Sequence, residues 1–229
     1  MESFNWKETA EVEWDSRADF WHERSRSMWE TGSRKTILPF IQRHVKKGSD
    51  ILDVGCGDGY GSYLLNKAGY GVTGVDLSVE MITHAKKTAP QREIVYQKAD
   101  VNDLPFPTSS FDALMAINVL EWTENPFHAL KEMIRVTKEG GYLCVGILGP
   151  TAGPRVNSFP RLYGEKAICN TMMPWELKKL AMQVNLQHID DIGVYKKEVK
   201  PTEVENMPLD LKQALSFMWV YLFEKAGTT

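Results

Sequence analysis

Residues 51–59 read Ile51-Leu52-Asp53-Val54-Gly55-Cys56-Gly57-Asp58-Gly59, an apolar run, an acid and three alternate glycines. The apolar run predicts a buried strand, and the glycines let the backbone turn sharply and approach a ligand with no Cβ in the way. Residues 60–68 then have the spacing of an amphipathic helix, whose free N–H groups favour polar or anionic ligand groups. The segment predicts a nucleotide-like ligand; the alternative is a glycine-rich turn with an acid that caps the helix.

The glycine spacing differs from two common phosphate-binding patterns. A P-loop needs Gly-Lys-Ser/Thr after its first glycine, and the dinucleotide fingerprint places its glycines as Gly-x-Gly-x-x-Gly. The chain has Gly-x-Gly-x-Gly over residues 55–59, although Gly61 allows other registers. Asp53, two residues before the first glycine, would repel a pyrophosphate but would suit an ammonium or sulfonium group.

A second acid follows about twenty residues later. Residues 71–78, Gly-Val-Thr-Gly-Val-Asp-Leu-Ser, predict a β-branched strand that ends at Asp76. A doubly wound fold places a carboxylate at this position on a ribose diol. The alternative is that Asp76 or Ser78 caps the helix predicted over residues 79–86. We assign the cap to Ser78 and ribose binding to Asp76, because each side chain then has its own partner.

A third acid completes the set. Residues 93–98 predict a strand, and Asp100 stands at the start of the loop that follows. A carboxylate there accepts a hydrogen bond from an exocyclic adenine amine while Val101 covers the ring face. Residues 110–120 then predict another buried strand that runs into a polar loop.

These segments resemble the class I S-adenosylmethionine-dependent methyltransferases, in particular the small-molecule branch of the ubiquinone and menaquinone biosynthesis type. The resemblance covers roughly residues 14–148, with weaker but compatible sequence to the C-terminus. Five motifs stand in order at the usual spacings, and they occupy residues 53–59, 75–78, 99–106, 111–122 and 135–143.

The resemblance implies S-adenosylmethionine as cofactor and methyl transfer to a small-molecule acceptor. In that family Asp53 and the backbone of residues 55–57 would face the methionine portion, Asp76 the ribose hydroxyls and Asp100 the adenine amine. Leu77 and Val101 would flank the adenine. The implied cofactor-binding residues are Trp21, Asp53, Gly55, Cys56, Gly57, Gly59, Asp76, Leu77, Met81, Asp100, Val101, Asn118 and Val119.

The alternation of strand and helix over residues 50–148 predicts an α/β fold with a doubly wound, mostly parallel sheet. The resemblance adds that the sheet is Rossmann-like, with seven strands, an antiparallel last strand and helices on both faces. Further helices are predicted at residues 32–45, 126–137 and 173–181, and late strands at 188–195 and 216–224. We expect one domain made of an N-terminal arm (1–32), a cofactor-binding core (33–148), a substrate-lid insertion (149–172) and a C-terminal helix and strand hairpin (173–229).

Composition narrows the function classes. The formal net charge of −3 and the absence of a basic run argue against nucleic acid as the main partner. The three cysteines are isolated, so neither a metal site nor a disulfide framework is expected. No signal peptide or apolar run of about 18 residues is evident, which predicts a cytoplasmic protein without membrane insertion.

The N-terminal arm and the segment after the fifth strand are the predicted substrate-facing parts. Residues 14–24 are unusually aromatic, and Trp21 stands where many relatives carry a tyrosine near the amino-acid tail of the cofactor; a hydrophobic anchor is its alternative role. Arg17 and Arg26 could meet a carboxylate or simply be solvated. Residues 149–170 predict a lid or substrate wall, or else a mobile loop, with these polar candidates: Arg155, Arg161 and Tyr163.

The spacing selects no catalytic residue. A general base, if the acceptor needs one, could come by residue type from His22, Glu121, His128 or Tyr163. Two other functions remain open at this point: a nicotinamide-dependent oxidoreductase on a similar sheet, and a non-catalytic module that binds S-adenosylmethionine.

Overall fold

The computed structural model describes residues 4–89 and 93–227. Within them, seven strands form one sheet in the order β3-β2-β1-β4-β5-β7-β6. Strand β7 is antiparallel to both of its neighbours, and the first five strands are parallel, so the predicted fold class is confirmed. The strands are β1 (Asp50–Val54), β2 (Gly71–Asp76), β3 (Ile94–Lys98), β4 (Phe111–Ile117), β5 (Thr137–Leu148), β6 (Leu186–Tyr195) and β7 (Ser216–Lys225).

The helices lie between the strands and ahead of them. They are α1 (Trp6–Ser16), α2 (Ala18–Glu30), α3 (Ile37–His44), α4 (Tyr60–Lys67), α5 (Val79–Thr88), α6 (Pro126–Val136), α7 (Pro174–Gln183), α8 (Pro201–Val204) and α9 (Leu209–Ala214). Two 3₁₀ segments, Leu120–Trp122 and Gly153–Tyr163, follow β4 and β5. Among the described residues, no helix is both long enough and apolar enough to span a bilayer.

Both faces of the sheet are buried, which explains the apolar runs in its central strands. In β1, Leu52 and Val54 belong to one hydrophobic core, while Ile51 belongs to the core on the other face. In β4, Leu114 and Met115 divide in the same way. Successive side chains of a strand point to opposite faces, so a strand covered on both sides by helices must be apolar throughout.

The helix boundaries follow local capping chemistry. The Ser78 hydroxyl accepts a hydrogen bond from the Met81 N–H at 3.0 Å, which confirms Ser78 as the cap of α5. Asn125 caps α6 in the same way, with Pro126 at the first helical position. The helix expected from residue 32 begins only at Ile37, because the N–H groups of Thr31 and Gly32 both bond to the Ser27 carbonyl and close α2 with a turn.

The order of strands fixes where a ligand can bind. Strand β1 is flanked by β2 on one side and β4 on the other, and ligands of open α/β sheets bind beyond the carboxyl ends of strands at such a switch point. Because β7 runs antiparallel to β5, with Leu148 paired to Met218, the start of β7 lies at this same edge. The edge therefore gathers the carboxyl ends of the six other strands and the beginning of β7.

Candidate functional site

A cavity lies at the carboxyl edge of the sheet, beneath α1 and α2. It contains most of the residues that the resemblance implied: Trp21, Gly55, Gly57, Asp76, Leu77, Met81, Asp100, Val101, Asn118 and Val119. The structure thus brings together side chains that are about one hundred residues apart in the sequence.

The glycine loop needs the absence of side chains at two points. Gly55 has φ +65°, and a Cβ there would stand 2.5 Å from the side chain of Val119. Gly57 has φ +55° and donates its N–H to Asp76 Oδ2 at 2.9 Å. The left-handed conformation favours glycine, and the close approach of Val119 brings the end of β4 against the loop.

Gly57→Val is expected to abolish measurable binding of S-adenosylhomocysteine. A β-branched residue is strained at this positive φ, and its side chain fills space in the cavity. Calorimetric titration measures the affinity. The matched control is Gly140→Val, because Gly140 has φ +70° and no atom within 4 Å of an added Cβ, but lies outside the cavity lining. Equal affinities for the two variants would contradict the expectation.

Asp76 organises the loop while its carboxylate lines the cavity. Its two oxygens accept hydrogen bonds from the Gly57 N–H at 2.9 Å and the Ser78 N–H at 3.0 Å. Each carboxylate oxygen has a second lone pair, so both oxygens can still accept from a diol. Burial raises the pKa of Asp76, and the two N–H groups oppose that rise.

The end of the cavity near β3 pairs an acid with apolar side chains. Asp100 Oδ1 accepts from the backbone and side-chain nitrogens of Asn102 at 2.9 and 3.0 Å, while its Oδ2 lies 3.3 Å from Lys7 on α1. Leu77, Met81 and Val101 complete the apolar lining. A flat ring between apolar side chains, with an amine toward a carboxylate, matches this arrangement.

Three of the implied residues stand outside the cavity lining. Gly59 is the N-cap of α4, and Cys56 is buried beneath the loop, where burial raises the pKa of its thiol well above the usual value. Asp53 is only 2% exposed and accepts a hydrogen bond from the Ser62 hydroxyl at 2.6 Å. Burial, opposed in part by Ser62, raises the pKa of Asp53 to about 7. These residues support the loop from below.

Asp53→Asn is expected to change how stability depends on pH. A folded-state pKa of about 7, above the usual 3.8, means that protonated Asp53 stabilises the fold below about pH 4 and that this stability is lost as the pH rises to 7. Relative to wild type, the asparagine variant should gain up to about 4 kcal/mol between pH 4 and pH 7. Urea unfolding across this range measures the difference. Parallel profiles for the two proteins would contradict the expectation.

Glu121 lies behind the cavity, not in it. Its Oε1 accepts from the Asn118 side chain and from the Leu148 N–H, both at 3.1 Å, whereas its Oε2 has no partner among the described residues. Burial raises the pKa of this carboxyl. Asn118, which has φ +58°, and Leu148 both line the cavity, so Glu121 holds the ends of β4 and β5 in register.

Glu121→Ala is expected to destabilise the protein by about 2–4 kcal/mol, because it leaves two buried donors without an acceptor and opens a cavity. Glu121→Gln keeps one acceptor oxygen and should cost less than about 1 kcal/mol. The free energy of unfolding in urea measures both. A glutamine variant as unstable as the alanine variant would show that the charge, not the hydrogen bonds, is what matters at this position.

Polar contacts fix the N-terminal helices over the site. Asp58, at the glycine loop, accepts from the Ser25 hydroxyl at 2.6 Å and lies 2.9 Å from His22 Nδ1. The ring of His22 stacks on His84 of α5 at 4.4 Å. At the other end of the arm, the Ser78 hydroxyl donates to Asp15 at 2.5 Å. Helices α1 and α2 therefore cover the cavity as one layer.

The four side chains considered as general bases all lie outside the cavity lining. His22 is engaged with Asp58, Glu121 is behind the strands, His128 is on α6, and Tyr163 is 73% exposed. The structure therefore brings none of them to the cavity. Among the residues it describes, no cluster of three or more His, Cys, Asp and Glu could hold a metal ion.

The segment after β5 contributes only its beginning. Pro154 lines the cavity, and Arg155 is buried and donates to the carbonyls of Leu148, Gly149 and Met172. Arg161 lies on the surface with Tyr163. The segment predicted as a lid contains the 3₁₀ segment Gly153–Tyr163, which Arg155 anchors.

Arg34 is one of the lining residues that the sequence did not single out. Its guanidinium stacks on Trp29 at 5.7 Å, and no ion pair or hydrogen bond engages its side chain among the described residues. Burial lowers its pKa, opposed chiefly by the negative charge of Asp58. Arg17 and Arg26, which the sequence suggested instead, pair with Glu13 and Glu30 on the same helices. The missed signal was Gly32, which ends α2 and turns the chain inward.

The middle of the chain matches a known family model. Residues 52–145 match the model described as "Methyltransferase domain". These residues, less than half of the chain, are therefore similar to a methyltransferase domain. This family uses S-adenosylmethionine, and the resemblance found in the sequence is confirmed.

Curated relatives agree with the family of the methyltransferase domain. A malonyl-[acyl-carrier protein] O-methyltransferase of Erwinia billingiae is 37% identical over 103 residues, 45% of this chain and 40% of its own. A ubiquinone biosynthesis O-methyltransferase of Coxiella burnetii is 38% identical over 109 residues, 46% of this chain and 47% of its own. The chain thus matches less than half of the length of these relatives.

A solved structure shows the same fold around the methyltransferase domain. It is a chain from the complex between the Haloferax volcanii Trm112 methyltransferase activator and a candidate methyltransferase, with a TM-score of 0.72 and 19% identity. The match covers 94% of this chain and 98% of that one. The fold therefore extends well beyond residues 52–145.

Proposed function

We propose that this protein is a methyltransferase that transfers a methyl group from S-adenosylmethionine to a small-molecule acceptor. The observation that carries the proposal is that one cavity contains Asp76, whose oxygens have lone pairs left for a diol, and Arg34, whose side chain has no hydrogen bond or ion pair among the described residues. An adenosine with a zwitterionic amino-acid tail presents the groups that such a pair would bind.

The adenosine half fits the carboxyl ends of β2 and β3. Asp76 has free lone pairs for the ribose hydroxyls, and Asp100 has one oxygen that only a partly exposed lysine contacts. Apolar side chains from Leu77, Met81 and Val101 line the space between these two acids.

The amino-acid half fits the turn that follows α2. Arg34 would bind the carboxylate of the tail, and the buried Nε1 of Trp21 would donate a second hydrogen bond, since that atom has no partner among the described residues. An indole N–H is a donor only, so it needs an acceptor such as a carboxylate oxygen. Asp58, which lines the cavity, would supply negative charge for the ammonium group.

For this reaction the protein mainly has to position the acceptor against the methyl group. S-adenosylmethionine supplies a methyl group on a sulfonium sulfur, which is already a good leaving group. Glu121 fixes Asn118, and Val119 packs against Gly55. These two residues lie at the centre of the cavity, between the part that fits the adenosine and the part that fits the amino-acid tail. The layer formed by α1 and α2 excludes water from it.

The ubiquinone biosynthesis O-methyltransferase supports a small-molecule acceptor, whereas the relative from Erwinia billingiae is a methyltransferase of a malonyl group on an acyl-carrier protein. The test is calorimetric titration of the protein with S-adenosylhomocysteine and, separately, with NADH. We expect binding of the first and none of the second. Binding of NADH alone would identify an oxidoreductase instead.

A second assay separates an enzyme from a binding module. The protein is incubated with methyl-labelled S-adenosylmethionine and a broad panel of metabolites. We expect label to appear in at least one acceptor. Cofactor binding without labelled product across the panel would favour the non-catalytic reading.

A further inference from the structure

The polarity of the cavity changes steadily along the edge of the sheet. Among the described residues, the charged side chains in its lining are Arg34, Asp58, Asp76 and Asp100, which lie near the ends of β1, β2 and β3. Past Asn118 at the end of β4, the lining is apolar except for Thr123, whose hydroxyl donates to the Leu120 carbonyl at 2.9 Å. This apolar chamber is lined by Trp6, Trp14, Trp122, Leu148, Pro154 and Phe217.

The apolar chamber is one packed unit. Trp14 and Phe217 pack against a buried cluster that contains Trp122 and Leu148. The rings of Trp14 and Trp122 meet edge to face at 5.4 Å, and Trp6 Nε1 donates to the Trp122 carbonyl at 2.8 Å. Because its walls are mutually supported, the chamber keeps its shape without a ligand.

From this arrangement we infer that the methyl acceptor presents an uncharged, flat, apolar body to the chamber. The inference rests on the proposed function, because it takes the charged half of the cavity as the cofactor site. A charged group that enters a chamber with no ionisable side chain in its lining loses its water without gaining a counter-charge. Aromatic walls instead favour a ring that stacks or meets them edge to face.

The guanidinium of Arg155 is a charge close to the chamber but outside its lining. Arg155 stands behind Leu148, where its guanidinium donates to the carbonyls of Leu148, Gly149 and Met172. It also faces the negative charge of Glu121, while its Nη1 is buried without a hydrogen-bond partner among the described residues. Because Arg155 stands outside the cavity lining, an anionic acceptor in the chamber would have no cation in direct contact.

The transfer step balances without a base from the chamber. A lone pair of the acceptor forms the new bond to the methyl carbon, and the pair of the breaking C–S bond returns to sulfur, which becomes a neutral thioether. A proton carried by the attacking atom passes to water at the mouth of the cavity. The step therefore requires no charged side chain in the apolar chamber.

The test uses three probes that share one ring and differ in charge. 2-Naphthol, 2-naphthoate and 2-naphthylmethylammonium are titrated calorimetrically at pH 7 into the protein saturated with S-adenosylhomocysteine. We expect the neutral probe to bind at least ~10-fold more tightly than either ion. An ion that binds as tightly as 2-naphthol, or no binding of any probe, would overturn the inference.

A pair of variants tests whether the chamber itself sets this preference. Phe217→Lys places a cation in the lining and should reverse the order, so that 2-naphthoate binds most tightly. Phe217→Leu keeps an apolar wall and should retain the wild-type order. An unchanged order in the lysine variant would also overturn the inference.

The affinity for S-adenosylhomocysteine is measured first on each protein. Loss of that binding in wild type would refute the proposed function, whereas intact binding without a preference for 2-naphthol would refute only the inference about the acceptor. Intact binding in the variants also shows that they are folded.

Discussion

Asp76→Ala is expected to lower the affinity for S-adenosylhomocysteine by at least ~100-fold, because two hydrogen bonds from the ribose hydroxyls to a charged acceptor contribute about 3 kcal/mol together. The same substitution removes the acceptor for the Gly57 and Ser78 N–H groups, which loosens the glycine loop. Calorimetric titration measures the affinity, and urea unfolding shows how much stability is lost.

The control for Asp76→Ala is Asp112→Ala, because Asp112 also accepts a hydrogen bond from a backbone N–H but lies elsewhere. Asp112 accepts from the Asp50 N–H at 2.8 Å and pairs with Lys138 at 2.7 Å, at the start of β4 and away from the cavity lining. Asp112→Ala should leave the affinity for S-adenosylhomocysteine unchanged. An Asp76→Ala protein that binds like the Asp112→Ala protein would remove Asp76 from the proposed site.

Arg34→Met is expected to weaken S-adenosylhomocysteine binding by ~10- to 100-fold, the loss associated with a hydrogen-bonded charge pair of about 1.5–3 kcal/mol. The effect should depend on the tail of the ligand. 5′-Methylthioadenosine lacks the amino acid and should bind wild type and the Arg34→Met variant equally well. Titration of both proteins with both ligands gives a thermodynamic cycle that measures the coupling between Arg34 and the amino-acid tail.

Two controls sharpen the test of Arg34. Arg26→Met removes an exposed arginine that pairs with Glu30 at 3.2 Å, and it should affect neither ligand. Asp76→Ala, in contrast, should weaken both ligands, because both carry the ribose. If Arg34→Met weakened 5′-methylthioadenosine as much as S-adenosylhomocysteine, the arginine would not contact the tail.

The parts of the site that the sequence predicted depend on local chemistry. A strand followed by glycines, and a strand followed by an acid and a capping serine, are arrangements of neighbouring residues, so Gly57, Asp76 and Ser78 could be placed before the structure was known. The same holds for α6, which starts at a proline after a capping asparagine.

The parts that the sequence did not predict depend on how distant segments meet. Arg34 enters the cavity because the chain turns after α2, where the Gly32 N–H bonds back to the Ser27 carbonyl, and no periodicity marks that turn. Glu121 has the residue type of a base, yet the 3₁₀ turn after β4 directs it to the Leu148 N–H behind the lining. Only the packing of β5 beside β4 decides between these roles.

The cavity also shows how the chain divides its tasks. The charged lining lies mostly on the segments that match the methyltransferase family, whereas Trp6, Trp14, Pro154 and Phe217 come from outside residues 52–145. Most of the chamber beyond Asn118 is therefore built by parts of the chain outside the matched residues.

A crystal structure of the protein with S-adenosylhomocysteine is the most direct test of the central claim. We expect the ribose hydroxyls on Asp76, the adenine amine at Asp100, the tail carboxylate on Arg34 and the sulfur facing the apolar chamber past Asn118. A ligand bound with its ribose away from Asp76, or with its tail in the apolar chamber, would contradict the proposed site.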